Sequence, residues 1–86
     1  MSREFTYTIT DPVGIHARPA GKLVKIAQQF ESDITLDHSG STADAKHILG
    51  VMSLGIGKGD PLKVSIAGAD EDKAAEELEA FFKNNL

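Results

Sequence analysis

The chain passes from a strand-like pattern to a helical one across the stretch Gly14-Ile15-His16-Ala17-Arg18-Pro19-Ala20. Before this stretch, apolar residues alternate with polar ones, the period of a strand with one buried face, at Phe5, Tyr7 and Ile9. After it, apolar residues recur at helical spacing, at Leu23, Val24, Ala27 and Phe30. We therefore expect His16 to lie at the start of the first helix, directly after a loop.

The same two patterns, alternation for strands and helical spacing for helices, predict the elements in the rest of the chain. They predict a hairpin over 34–45 with its turn at His38-Ser39-Gly40, a short helix over 48–54 closed by Gly55, and a last strand over 62–66. A final helix follows Asp70, with an apolar stripe from Ala74 to Phe82. The predicted order is β-α-β-β-α-β-α. Four strands with one apolar face need helices to cover it, so we expect an α/β (α+β) open-faced sandwich: a four-stranded antiparallel sheet with three helices on one face.

Length and composition limit the classes of protein that fit. The 86 residues, 41% of them hydrophobic, suit a single domain over 1–86 with one modest core. Cysteine is absent, so disulfides and thiolate metal sites are excluded, and no apolar run approaches the roughly 18 residues that a membrane span requires. The net charge of -4 argues against nucleic-acid binding. We expect a cytoplasmic, monomeric protein that does not insert into membranes.

Basic residues are a minority that could gather on one face: Arg18, Lys22, Lys25 and Lys46. A helix N-terminus is an anion site because its first N–H groups lack intrahelical partners, so an anion on His16 would meet donors from Ala17 and Arg18. Arg18 adds a charged, planar fork of donors. Pro19 suits the first helical turn, where its missing N–H is not needed. Histidine itself is a nucleophile near neutral pH.

The stretch from Gly14 to Ala20 resembles the active-site signature of HPr, the histidine-containing phosphocarrier of the bacterial phosphoenolpyruvate:sugar phosphotransferase system. Two further stretches resemble the same family in the same order, Gly50-Val51-Met52-Ser53-Leu54-Gly55 at its short helix and Gly68-Ala69-Asp70-Glu71 at the start of its last helix. The resemblance covers essentially the whole chain. It implies that His16 accepts a phosphoryl group from phosphorylated enzyme I, normally at Nδ1, that Arg18 assists transfer, and that sugar-specific IIA domains receive the group.

The resemblance also implies a docking surface for these partners, formed by the first helix and the short one. It maps onto Ala20, Leu49, Val51 and Met52, rimmed by Lys25 and Lys46. For Ile48, Val51 and Leu54 core packing is at least as good an interpretation, so Leu49 and Met52 are the preferred contact residues. Gram-positive relatives usually carry a regulatory serine directly after the lysine that opens the short helix, whereas here His47 follows Lys46. We therefore expect no phosphorylation at this position by HPr kinase/phosphorylase.

Other functions remain open at this stage. A carrier of this type has a phosphohistidine intermediate but no small-molecule turnover of its own, so whether it counts as an enzyme is undecided. The alternatives are an HPr-like regulatory docking module, a carrier in a nitrogen-related or dihydroxyacetone kinase phosphorelay, and a small acylphosphatase-like hydrolase. The last lacks an evident base. We predict no cofactor and no metal site, since the three histidines lack ligand spacing, and we interpret His38 as a turn residue and His47 as an exposed helix cap.

Overall fold

The computed structural model describes residues 2–86. Over this range the elements follow the predicted order. Their bounds are Ser2–Thr8 (β1), Ala17–Ala27 (α1), Asp33–His38 (β2), Ser41–Asp44 (β3), Ile48–Ser53 (α2), Pro61–Ala67 (β4) and Glu71–Asn85 (α3). Within these described residues, no helix has the length and apolar character needed to cross a membrane.

The strands form one sheet in the order β1-β4-β2-β3, and every pairing is antiparallel. Alternation along each strand directs apolar side chains to the face that the helices cover. Phe5 and Leu36 lie on either side of Val64 in the register of the sheet, and Phe82 of α3 packs on Tyr7 with ring centroids 5.6 Å apart. The predicted open-faced sandwich is confirmed.

One apolar cluster lies between the sheet and the helices. Its strand residues are each 1% exposed or less, namely Ile34, Leu36, Leu62, Val64 and Ile66. The predicted stripe of α1 supplies Leu23, Val24 and Ala27, and that of α3 supplies Leu78 and Phe82. Because both stripes face this cluster, the opposite sides of the helices and their ends are left for other contacts.

The β2–β3 hairpin is tighter than the sequence predicts. His38 pairs with Ser41 as the last residue of β2, so the turn consists of Ser39 and Gly40 alone. Both have positive φ, 54° and 93°, as in the two-residue turns whose twist matches that of the flanking strands. The prediction of His38 as a turn residue is therefore wrong, because its side chain belongs to the helix-covered side of the sheet and makes the contacts described below.

Candidate functional site

His16 is the N-cap of α1. Its backbone is extended (φ -111°, ψ -173°), and its carbonyl accepts the N–H of Ala20 at 2.9 Å, the first bond of the helix. Its half-buried side chain does not cap the helix, and in the part of the chain that the structure describes neither ring nitrogen makes a hydrogen bond. Pro19 brings no N–H to the first turn, so the donors that face outward there are those of Ala17 and Arg18.

The loop before His16 is held by close main-chain contacts. Gly14 has φ +79° and lies so near Gly57 that a Cβ on Gly14 would come within 2.7 Å of the Gly57 Cα. The N–H of Ile15 donates to the Ile56 carbonyl at 3.1 Å. Asp11 closes the other side of the loop, where its Oδ1 accepts the N–H of Val13 at 2.8 Å. The position of His16 is therefore fixed by the segment around Ile56 as well as by its own helix.

An open pocket of about 180 Å³ lies beside His16. Its lining consists of Asp11, His16, Arg18, Pro19, Lys22 and Asn85. It joins the loop, the first two turns of α1 and the end of α3, and the positive end of the α1 dipole faces it. Its two cations and outward N–H groups suit a small, doubly charged anion such as a phosphoryl group.

The four basic residues that the sequence analysis grouped do not share this pocket. Arg18 and Lys22 line it, whereas Lys46 lies on a second groove between α1 and α2, with Val24, Gln28, His47, Ile48 and Leu49. The Nζ of Lys46 donates to the Phe30 carbonyl at 2.8 Å and thereby ties the segment before α2 to the loop after α1. Lys25 is exposed and lines neither cavity.

The predicted docking residues divide between surface and core. Leu49 is 81% exposed and Met52 42%. Ile48 is 40% exposed, so its expected place in the core is wrong, whereas Leu54 is buried as expected. Ala20 and Val51, by contrast, are 0% and 1% exposed. Their assignment to a contact surface is wrong, because both side chains face the core and only support the helices that carry the exposed residues.

The other two histidines have partners. His47 is the N-cap of α2, and its exposed ring lies 3.6 Å from Asp44 Oδ2. His38 is mostly buried; its Nδ1 lies 2.8 Å from the Leu54 carbonyl and its Nε2 3.0 Å from Asp60 Oδ2. The Gly57 N–H, which donates to the same Asp60 oxygen, lowers the pKa of Asp60, and the adjacent His38 ring lowers this pKa further.

His38 and Asp60 are site-supporting residues that the sequence analysis missed. They brace the two ends of the segment 54–60, and the middle of this segment, at Ile56 and Gly57, packs against Gly14 and Ile15. No local pattern signals this arrangement, since the partners of His38 lie 16 and 22 positions away along the chain. The only available signal for this role was the position of His38, a polar residue at the end of the otherwise alternating strand β2.

The fold and the pocket together define a class: small α+β sandwich proteins that present a histidine to an anion at a helix N-terminus. Comparison with known families gives the particular one. A family model described as the PTS HPr component phosphorylation site matches residues 3–84. The chain belongs to the HPr family of phosphocarrier proteins of the phosphotransferase system, and family membership implies interaction with enzymes of that system.

Solved structures agree with this assignment. The chain is 34% identical to the phosphocarrier protein HPr of Bacillus anthracis, with a TM-score of 0.88 over 94% of this chain and 96% of that one. For the histidine-containing phosphocarrier protein of Mycoplasma the identity is 34% and the TM-score 0.93, over 95% and 93% of the two chains. The Bacillus subtilis catabolite repression protein Crh, described as an intertwined dimer with a swapped domain, is also 34% identical, with a TM-score of 0.78 over 93% and 92%.

Proposed function

We propose that this chain accepts a phosphoryl group on His16 from phosphorylated enzyme I and passes it to sugar-specific IIA domains. The observation that carries the proposal is the state of the His16 side chain. Within residues 2–86 its ring has no hydrogen-bonding partner, and it lines an open pocket with two cations at a helix N-terminus. A nucleophilic nitrogen must be unengaged and accessible to a donor, and of the three histidines His16 alone combines this with an anion-binding environment.

The transfer needs no cofactor. The lone pair of a neutral His16 ring nitrogen attacks phosphorus; the new N–P bond forms as the bond between phosphorus and the donor breaks, and the donor keeps that electron pair. The proton on the other ring nitrogen of His16 stays in place. Arg18 and the outward N–H groups of Ala17 and Arg18 stabilise the phosphoryl oxygens during transfer. A histidine or other nucleophile of the acceptor then attacks the same phosphorus, and the N–P bond breaks with its electron pair returning to the His16 nitrogen, which regenerates neutral His16.

Partner docking is proposed for the exposed apolar residues of α2. Leu49, Met52 and Ile48 form a patch beside the groove that Lys46 and His47 also line. Exposed apolar patches of this kind commonly serve as protein interaction sites. Exposed Lys25, which the family resemblance assigns to the rim of this surface, suits acidic residues of a partner. We propose a cytoplasmic monomer as the working form, in which both the patch and the pocket stay open to enzyme I and IIA domains.

The serine-directed regulation of Gram-positive relatives is absent in this proposal. His47 occupies the position at the start of α2, and its exposed imidazole offers no hydroxyl to HPr kinase/phosphorylase. Incubation with that kinase and ATP should give no phosphoserine on this chain. Phosphoserine mapped to a neighbour such as Ser41 or Ser53 would contradict this part of the proposal.

Transfer of labelled phosphate from phosphoenolpyruvate through purified enzyme I, and onward to a IIA domain, tests the function. The parent protein and a His47→Ala control should carry acid-labile, base-stable label, whereas His16→Ala should carry none. A matched circular dichroism melt of each variant shows that the fold is intact. Label on His16→Ala equal to that on the parent would overturn the assignment of His16.

A second candidate is a regulatory docking module, which the likeness to the catabolite repression protein Crh favours. Such a protein would act through its surface rather than through phosphohistidine. Failure of several enzyme I types to label the folded parent protein, together with stable binding of a regulatory partner, would select this candidate over the carrier.

A further inference from the structure

The pocket beside His16 contains a second cation for which the mechanism above has no role. Lys22 lines this pocket together with Arg18. Among residues 2–86 the ion pairs join Arg3 to Asp72, His38 to Asp60, His47 to Asp44 and Lys63 to Glu4. None of these pairs involves Arg18 or Lys22, so both charges of the pocket are available to an anion.

Helical geometry directs the Lys22 side chain toward the N-terminal end of α1, where Lys22 and His16 line the same pocket. Arg18 and Lys22 are one turn apart on the same face of α1. Side chains on an α-helix lean toward its N-terminus, so Lys22 covers the turn that precedes it. The six positions from His16 to Lys22 span about 9 Å of helix axis at 1.5 Å per residue. The extended lysine stem crosses most of that distance, which brings Nζ within reach of a phosphoryl oxygen on His16.

The other polar groups of the pocket do not replace this cation. The amide of Asn85 donates to the Phe81 carbonyl at 3.0 Å, within its own helix. Asp11 uses one carboxylate oxygen to fix its own loop and, as an anion, repels a phosphoryl group. With Arg18, Lys22 and Asp11 charged, the side chains around neutral His16 carry a net charge of +1. Without Lys22 they would carry none, and a doubly negative phosphoryl group would lose this compensation.

We propose that Lys22 is a phosphoryl-binding residue that acts together with Arg18, so that the phosphoryl group on His16 is held between two cations one helical turn apart. The proposal rests on His16 as the phosphoryl acceptor and adds to it a residue that binds the product. Lys22 and Arg18 differ in their parts: the Arg18 fork lies next to the helix start, and the Lys22 ammonium closes the pocket from the second turn as a compact point charge.

Chemical phosphorylation without any partner protein separates this role from docking. Potassium phosphoramidate supplies the phosphoryl group, and the ³¹P resonance of the phosphohistidine is followed as a function of pH in the parent, Lys22→Gln, Lys22→Arg and Lys73→Gln. Lys73 is a matched control, because it is an exposed lysine about 18 Å along the α3 axis from Asn85. Circular dichroism melts establish that each variant is folded.

Removal of a nearby cation favours the protonated form of the groups it faces, the phosphoryl oxygens and the phosphohistidine ring alike, so Lys22→Gln should move the ³¹P titration midpoint upward by about 0.5 pH unit. Lys22→Arg should restore the parent midpoint, and Lys73→Gln should leave it unchanged. A midpoint in Lys22→Gln equal to that of the parent and Lys73→Gln would overturn the role of Lys22 and leave His16 as acceptor. Absence of phosphohistidine at position 16 of the parent would instead overturn the acceptor assignment, and the inference with it.

Discussion

His16 and His38 are two histidines with opposite surroundings. His38 has both ring nitrogens next to oxygen atoms, of Leu54 and Asp60, and its side chain is 18% exposed. His16 lies beside an open pocket, and within residues 2–86 its ring has no hydrogen-bonding partner. A ring with two engaged nitrogens holds structure together, whereas an unengaged ring beside cations can take part in chemistry. Because the two residues are of the same type, it is the hydrogen bonding of the ring that separates their roles.

The two histidines are also linked through one segment. His38 braces both ends of residues 54–60, and the middle of that segment packs on the loop that leads into His16. His38 therefore supports the position of His16 without touching it. We therefore expect substitutions of Gly14 in the loop, of His38 and of the distant Asp70 to lower the stability of the fold to decreasing extents.

The largest expected effect on stability comes from Gly14→Ala. The added Cβ would collide with the Ile56 carbonyl and the Gly57 Cα, at a backbone φ of +79° that L side chains rarely adopt. Clash and backbone strain together should lower the free energy of unfolding by about 2 to 4 kcal/mol. Urea denaturation measures this, with Gly40→Ala as the control, because Gly40 also has positive φ but open space around it. Equal losses in the two variants would show that Gly14 has no packing role.

His38→Ala should lower the free energy of unfolding by less than Gly14→Ala does, through lost hydrogen bonds rather than a clash. It removes two hydrogen bonds and leaves Asp60 and the Leu54 carbonyl without this partner, so we expect a loss of about 1 to 3 kcal/mol in the free energy of unfolding. Phosphoryl uptake at His16 should persist. His47→Ala, in which an exposed ring is removed, should change the same free energy by less than about 0.5 kcal/mol. Complete loss of phosphoryl uptake in folded His38→Ala would contradict a purely supporting role for His38.

The smallest expected effect is a loss of thermal stability at acid pH, and it concerns Asp70, the N-cap of α3. Asp70 accepts hydrogen bonds from the Ser32 hydroxyl and from the N–H groups of Glu31 and Ser32, and these bonds hold the pKa of Asp70 below its ordinary value of 3.8. Because the folded pKa is lowered, the stabilisation is present above pH 3.8 and is lost as the pH falls through the folded value. Thermal melts between pH 6 and pH 2 should show this loss in the parent.

Asp70→Asn is the control for the acid experiment. Its melting temperature at pH 6 should be lower than that of the parent, because the amide keeps only one acceptor oxygen for three donors. The difference between the two proteins should shrink as the pH falls below 3.8. A difference that stays constant down to pH 2 would show that the charge of Asp70 contributes nothing to the acid sensitivity.

Periodicity was sufficient to predict the order of elements and the covered face of the sheet. The stripes of α1 and α3 and the alternation at Leu62, Val64 and Ile66 report burial directly, since each recurs at the period of its own element. Ala20 lies on the same buried face of α1, although the family resemblance suggested a contact residue. His16 and Arg18 were singled out by a local motif.

Contacts between distant parts of the chain were not predictable in this way. The Asp70 carboxylate, at the start of α3, accepts N–H groups from the loop after α1. His38 was assigned from its position beside a turn, and its two partners come from elements that follow later in the chain. The end of α3 brings Asn85 to the pocket that His16, Arg18 and Lys22 line. Each of these contacts depends on how elements pack, which a local pattern does not record.

Long-range ¹H–¹⁵N NMR of the three imidazole rings, recorded before and after phosphorylation by enzyme I and phosphoenolpyruvate, tests the central contrast most directly. We expect the ring nitrogens of His16 to shift as one of them becomes bonded to phosphorus, with one-bond ¹⁵N–³¹P coupling, while His38 keeps both of its nitrogen resonances. Coupling to phosphorus at His38 or His47, with His16 unchanged, would contradict the assignment of His16 as the acceptor.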